Sequence, residues 1–175
     1  PMRRALAFCR SIAASKLVES EFSSVVAEYL GEDELIEPDQ VKAAENRLQV
    51  EIRHVDGTFN AKSRGELLDW LKSDPGESRC RVLTNARCLS EGVDVPALDG
   101  IMFLHPRKSQ IDVVQSVGRV MRKADGKRMG YVILPVGVPA GVPPEQALND
   151  NERYKVVWQI LNALRAHDER FDGTI

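Results

Sequence analysis

The stretch GIMFLHPRKSQIDVVQSVGRVMRKADGKRMGYVILP, residues 100–135, reads as strand, helix, strand. GIMFLH (100–105) and GYVILP (130–135) are near-continuous apolar runs, as expected of strands covered on both faces. Between them, Ser109 and Asp112 can form a capping box that starts a helix. On that helix, at about 100° per residue, Arg119 lies about 40° from Gln115 and Arg122 about 20° to the other side. Three long polar side chains therefore share one edge. Val113, Val114, Val117, Val120 and Met121 are expected on the opposite, buried side. Gly118, between the arginines, would let another surface approach closely.

The same alternation extends toward the N-terminus. ALAFC (5–9), VEIRHV (50–55) and CRVLT (80–84) are further short apolar runs. Residues 11–30 carry Leu17, Val18, Phe22, Val25, Val26 and Tyr29 at helical spacing, and Asn60 can cap a helix bearing Leu67, Leu68 and Leu71. An acidic connection begins at residue 31, with a short helix expected around 41–48. Apolar strands separated by amphipathic helices predict an α/β fold with a parallel sheet of about five strands in three layers. The domain is assigned to residues 1–135. Beyond it, VGVPAGVPP (136–144) can continue neither element. Asn149 and Glu152 can start a last helix whose stripe is Tyr154, Val157, Trp158, Leu161 and Leu164, packed on the domain or leading to a further one.

Composition narrows the function classes. A chain of 175 residues with 43% hydrophobic content supports one core. The formal net charge of −2 argues against a globally basic nucleic-acid binder. The distribution differs from the total: residues 105–130 hold Arg107, Lys108, Arg119, Arg122, Lys123, Lys127 and Arg128 against only Asp112 and Asp125. Cys9, Cys80 and Cys88 form no C-x-x-C pair, and His54, His105 and His167 are too scattered for a zinc site, so no metal ligands are assigned. With no apolar run able to cross a bilayer and no signal-peptide pattern, the expectation is a cytoplasmic protein without a membrane partner. The abrupt entry into a strand at RRALAFC suggests a chain cut from something longer.

TNARCLSEGVDVP (84–96) leaves the third strand for a short helix, with Gly92 placed as its C-cap and Pro96 forbidding continuation. Backbone N–H groups at Thr84 and Asn85 are expected to point outward, and Asp94 could accept from a ribose hydroxyl. This stretch and the arginine helix are both expected at the carboxyl ends of neighbouring strands, where open α/β sheets bind ligands. A guanidinium pair there suits the charge that spreads over a transferring phosphoryl group. Gln115 could position a phosphate or an attacking water.

SEGVDVPALD followed by QSVGRVMR resembles motifs V and VI of superfamily-two helicases and translocases. ALAFCRS is similar to motif IV and HVDGT to motif IVa, so the resemblance covers most of the chain. HVDGTFNA, the run from Asn85 to Lys123, and LPV are similar to predicted bacterial helicases of restriction and phage-defence systems. The resemblance implies a RecA-like, P-loop-NTPase-like C-terminal motor domain. In it Arg119 and Arg122 match arginine fingers, Gln115 a γ-phosphate contact, and Gly92 and Asp94 the nucleotide-facing turn. Ser11, Thr58 and Thr84 match positions that touch nucleic-acid backbone. ATP and Mg²⁺ are the implied cofactors, bound mainly by an N-terminal RecA-like domain of the same polypeptide, and DNA is the implied nucleic acid.

The sequence contains no G-x-x-x-x-G-K-[ST] loop, and HDER (167–170) ends a helix rather than following an apolar strand. The chain is therefore expected to be inactive alone, half of an ATPase site. Two alternatives compete. A dinucleotide-binding Rossmann domain requires G-x-G-x-x-G after an early strand, but the first strand leads into CRSIAAS, without glycine. A non-catalytic RecA-like nucleic-acid or protein interaction module keeps the fold, but gives no reason for Gln115 and two arginines on one edge.

Overall fold

The computed structural model describes residues 2–32, 49–76, 78–86, 88–89, 98–105, 109–149, 152 and 154–167. The short helix expected over 41–48 lies outside them. The elements are β1 (Arg4–Phe8), α1 (Ile12–Glu32), β2 (Gln49–Val55), α2 (Ala61–Lys72), β3 (Arg79–Asn85), β4 (Gly100–Phe103), α3 (Gln110–Met121), β5 (Tyr131–Ile133), α4 (Pro144–Asn149) and α5 (Lys155–His167). The strands form one five-stranded sheet in the order β2-β3-β1-β4-β5. Every pairing is parallel, with Leu6 opposite both Leu83 and Ile101, and Ile52 opposite Val82.

Side-chain alternation along these strands makes two apolar layers. One joins Leu6, Phe8, Val55, Leu83, Ile101 and Phe103 to Leu71 of α2, to Val113, Val117 and Val120 of α3, and to Val157 and Leu161 of α5. Phe8 stacks on Phe103 across the β1–β4 pair, with ring centroids 5.8 Å apart. The other layer is thin, built on Ala5, Ala7, Cys80 and Val82. On that face α1 packs against β2 and β3. Right-handed crossovers account for the split, because only the β1-to-β2 connection runs toward the β2 edge by passing over a neighbouring strand.

Asp99 ties the amino ends of three strands together. Its Oδ2 accepts from the backbone N–H groups of Arg3 (2.9 Å) and Arg4 (3.0 Å). Its carbonyl accepts from Tyr131 N–H at 2.7 Å, and its own N–H donates to the Arg4 carbonyl at 2.9 Å. The α2 and α3 caps form as the sequence suggests: Asn60 accepts from Ser63 N–H and Ser109 from Asp112 N–H.

Three expectations change. Leu17, Val25 and Tyr29 of α1 are exposed, because the helix lays Ser15, Val18, Phe22 and Val26 on the sheet instead. β4 and β5 are shorter than the apolar runs that announce them, ending at Phe103 and Ile133. The Asn149/Glu152 box does not start the last helix. Pro144, whose ring fixes φ for a first helical position, starts the six-residue α4, which Asn149 closes. Helix α5 then packs into the main core: Tyr154, Val157 and Leu161 are buried, and the Tyr154 hydroxyl donates to the Phe103 carbonyl at 3.1 Å.

Candidate nucleotide and nucleic-acid interface

Helix α3 buries Val113, Ser116, Val117 and Val120. Val114 and Met121, expected inside, are 53% and 42% exposed. They sit about 90–110° from the centre of the buried arc, too far round to reach the sheet. The outer surface therefore combines Gln115 and Arg122, both exposed, with an apolar ridge of Ile111, Val114 and Met121. Gly118 lies in the middle of that ridge. Among the described residues a β-carbon added there would meet nothing within 4 Å, so none of them requires glycine at this position.

Arg119 is half-buried, and its Nη1 donates to the Leu89 carbonyl at 2.7 Å. That bond joins the arginine helix to the segment leaving β3. Arg122 is the C-cap and has already left the helix, with φ −61° and ψ 133°. Lys127 returns to this helix end and donates from Nζ to the carbonyls of Val120 and Arg122.

The arginines are not at the carboxyl ends of the strands. Helix α3 starts there, at Ser109, and runs back along the sheet. By Val120 it touches Gly130, the residue before β5, so closely that a β-carbon on Gly130 would lie 2.6 Å from the Val120 carbonyl oxygen. The β3–β4 connection has likewise returned to the amino ends by Asp99. A parallel crossover must make this return trip, so α3 carries Arg122 toward the amino ends, while Arg119 bonds Leu89, four residues past the end of β3. Gly92 and Asp94 fall outside the described residues.

The expected nucleic-acid contacts lie at the other end. Ser11 is half-buried, and its Oγ accepts from Ala14 N–H at 3.1 Å in the first turn of α1. Thr84 is fully buried: its hydroxyl accepts from Ser15 Oγ at 2.8 Å and donates to the Ser15 carbonyl at 3.1 Å. Its side chain cannot touch a nucleic acid. Nor do Thr84 and Asn85 start a turn of outward N–H groups, because both stand in register within β3 between β1 and β2. Thr58 is exposed, yet its N–H and its hydroxyl both donate to Asp56 Oδ1, at 2.7 and 2.6 Å. A phosphate oxygen, which only accepts, would have to displace Asp56 to bond this hydroxyl.

Sequence reasoning missed the network behind that turn. His54 Nε2 lies 2.9 Å from Asp56 Oδ2, and His54 Nδ1 lies 2.7 Å from Ser15 Oγ. Serine, histidine and aspartate in this order form a hydrolytic relay elsewhere. Here Ser15 is fully buried, so no substrate reaches its oxygen, and the chain fastens α1, β2 and β3 together. HVDGT gave a partial signal, but Ser15 is 39 residues from His54 and only the fold brings them together.

Hydrogen bonds from the Thr58 hydroxyl, then from His54, then from Thr58 N–H hold the Asp56 carboxyl well below the usual carboxylate range. A carboxyl with its folded pKa depressed adds stability above its unfolded value of about 4, and that stability is lost as pH falls below it. Asp56→Asn should therefore melt lower than the parent at pH 7, with the gap closing as the pH is lowered below about 4. A gap constant from pH 7 to pH 3 would contradict this.

Burial pushes the Cys80 thiol up to about 11 and raises Cys88. None of the three cysteines forms a disulfide. Among the described residues no group of His, Cys, Asp and Glu is placed to hold a metal ion, and no helix is long and apolar enough to cross a membrane.

Residues 2–124 match the family model of the helicase conserved C-terminal domain. The structure of an ATP-dependent Type ISP restriction-modification enzyme bound to DNA superposes with a TM-score of 0.74 and 46% identity, covering 98% of this chain and 10% of that one. A probable helicase of African swine fever virus is 33% identical over 90 residues, 51% of this chain and 10% of its own length. A putative helicase of Sulfolobus islandicus filamentous virus is 35% identical over 79 residues, 45% of this chain and 13% of its own. The second domain of a DEAD-box helicase bound to an RNA duplex shares the fold, with a TM-score of 0.50 and 15% identity, over 75% of this chain and 41% of that one. The chain thus spans about a tenth of the length of the relatives and of the restriction-modification enzyme it matches.

Proposed function

Because the chain belongs to the family of helicase conserved C-terminal domains, with the RecA-like parallel sheet of superfamily two, we propose that it is the second motor lobe of an ATP-dependent DNA helicase or translocase. In this reading a preceding RecA-like lobe of the same polypeptide carries the phosphate loop and the Mg²⁺ carboxylate, and ATP lies between the two. The observation that carries it is the outer surface of α3, where Gln115 and Arg122 flank an open glycine and Arg119 lies alongside, anchored on Leu89.

The residues fit a triphosphate. Two guanidinium groups offer charge that never titrates away and a planar fork of donors. Gln115 offers an amide able to hold a phosphate oxygen or a water. ATP would supply the phosphoryl group for transfer, and the chain's own part is to neutralise the charge spreading over it. The exposed apolar ridge of Ile111, Val114 and Met121 gives the other lobe a surface to close against. Gly92 and Asp94 are assigned to the nucleotide. Ser11 and Thr58 are assigned to nucleic-acid backbone, read without regard to base identity. DNA is preferred because the restriction-modification enzyme resembling this chain was solved bound to DNA.

The test is ATP hydrolysis by the full-length protein with and without DNA. Stimulation by DNA is expected. Tight DNA binding with no hydrolysis would favour a non-catalytic module instead. The open space at Gly118 adds a second expectation. Gly118→Ala should stabilise α3 by about 0.5–1 kcal/mol, since alanine is the better helix former. In the full-length protein the same change should slow ATP turnover by crowding the closed seam. Unchanged turnover with raised stability would show that nothing approaches Gly118.

A further inference from the structure

We propose that Lys127 is a positioning residue for Arg122, an assignment that rests on the nucleotide reading above. Helix α3 ends without a left-handed glycine, and Arg122 leaves it extended, with φ −61° and ψ 133°. The chain turns back through Ala124–Lys127, closed by Lys127 N–H on the Ala124 carbonyl at 3.1 Å and by Gly126 at φ +76°. This turn delivers the Lys127 ammonium to the helix end. There Nζ donates to the carbonyl of Val120, inside the helix, and to that of Arg122, just outside it, at 2.9 Å. One cation thus spans the point where the helix stops and fixes the direction in which Arg122 leaves.

Two further features fix this corner. A cation at a helix C-terminus meets the negative end of the helix dipole, so the charge itself is used. Gly130 presses on Val120 with no room for a β-carbon, which pins the far side of the loop. Burial lowers the pKa of Lys127, and the field of Asp99 opposes the shift. A finger that must meet a phosphoryl group is sensitive to small displacements; misplacement by about 1 Å costs about 10² in rate. Lys127 supplies the fixed point from which the Arg122 side chain starts.

The experiment compares Lys127→Met, Lys127→Arg and Arg122→Ala in the full-length protein, reading kcat and KM for ATP, DNA affinity and melting temperature. Lys127→Met is expected to lower kcat at least about tenfold with KM, DNA affinity and melting little changed. Lys127→Arg, which keeps a cation able to reach carbonyls, should recover most of the loss. If Arg122→Ala is dead while Lys127→Met turns over normally, the positioning role is wrong. If Lys127→Met loses ATP affinity, DNA affinity and melting temperature together, the lysine is only structural and the inference also fails. Normal turnover in Arg122→Ala overturns the finger assignment itself, and this inference with it.

Discussion

Arg122→Ala in the full-length protein is expected to reduce ATP turnover by a factor of about 10³ or more, the range in which arginine fingers act. ATP affinity should change only a few-fold, because the preceding lobe would hold most of the triphosphate. Arg122 is the cleaner test of the two arginines. It is exposed, whereas Arg119 also donates to the Leu89 carbonyl, and its removal would loosen the segment leaving β3 as well. Arg122→Lys should restore little, since an ammonium keeps the charge but lacks the planar fork. Measured kcat and KM for the three proteins, with DNA present, decide the matter. Turnover within a few-fold of the parent in Arg122→Ala would remove the catalytic role.

Phe103→Ala is expected to be the most damaging single change to the fold among those considered. Phe103 is fully buried, stacks on Phe8, and its carbonyl holds the Tyr154 hydroxyl that docks α5. Phenylalanine-to-alanine changes in cores cost about 3–5 kcal/mol, from lost transfer energy and the cavity left behind. For a domain of this size that is a fall in melting temperature of about 10 °C. The site would be affected through the same layer, since Val113, Val117 and Val120 of α3 share the core with Phe103. A thermal melt displaced by less than about 3 °C would mean that the layer repacks easily.

Much of this architecture was legible because its signals are local. Apolar runs at 5–9, 50–55, 80–84, 100–105 and 130–135 each overlap a strand, and Asn60 and Ser109 cap the helices they precede. The inward face of α1 was legible in part: spacing marked Val18, Phe22 and Val26, but not Ser15 in the first turn, a polar residue buried because His54 and Thr84 bond to it from strands far along the chain. Thr84 misled for the same reason: its placement after an apolar run suggests a loop, but two neighbouring strands extend the ladder past it. Gln115 and Arg122 are exposed and Arg119 half-buried, but the end of the sheet that Arg122 reaches differs from the expectation, because a helix crossing between parallel strands runs back to their amino ends. Lys127 looked like one more solvated charge among Lys123, Lys127 and Arg128. Only the turn at Gly126 shows that it caps the helix.

The most direct measurement is a structure of the full-length protein with DNA and a non-hydrolysable ATP analogue. The account predicts that the guanidinium groups of Arg119 and Arg122 face the terminal phosphate across a closed seam, at least one of them within about 3 Å of its oxygens. A closed, nucleotide-bound protein with both side chains turned away from the triphosphate, or with α3 facing solvent, would contradict it.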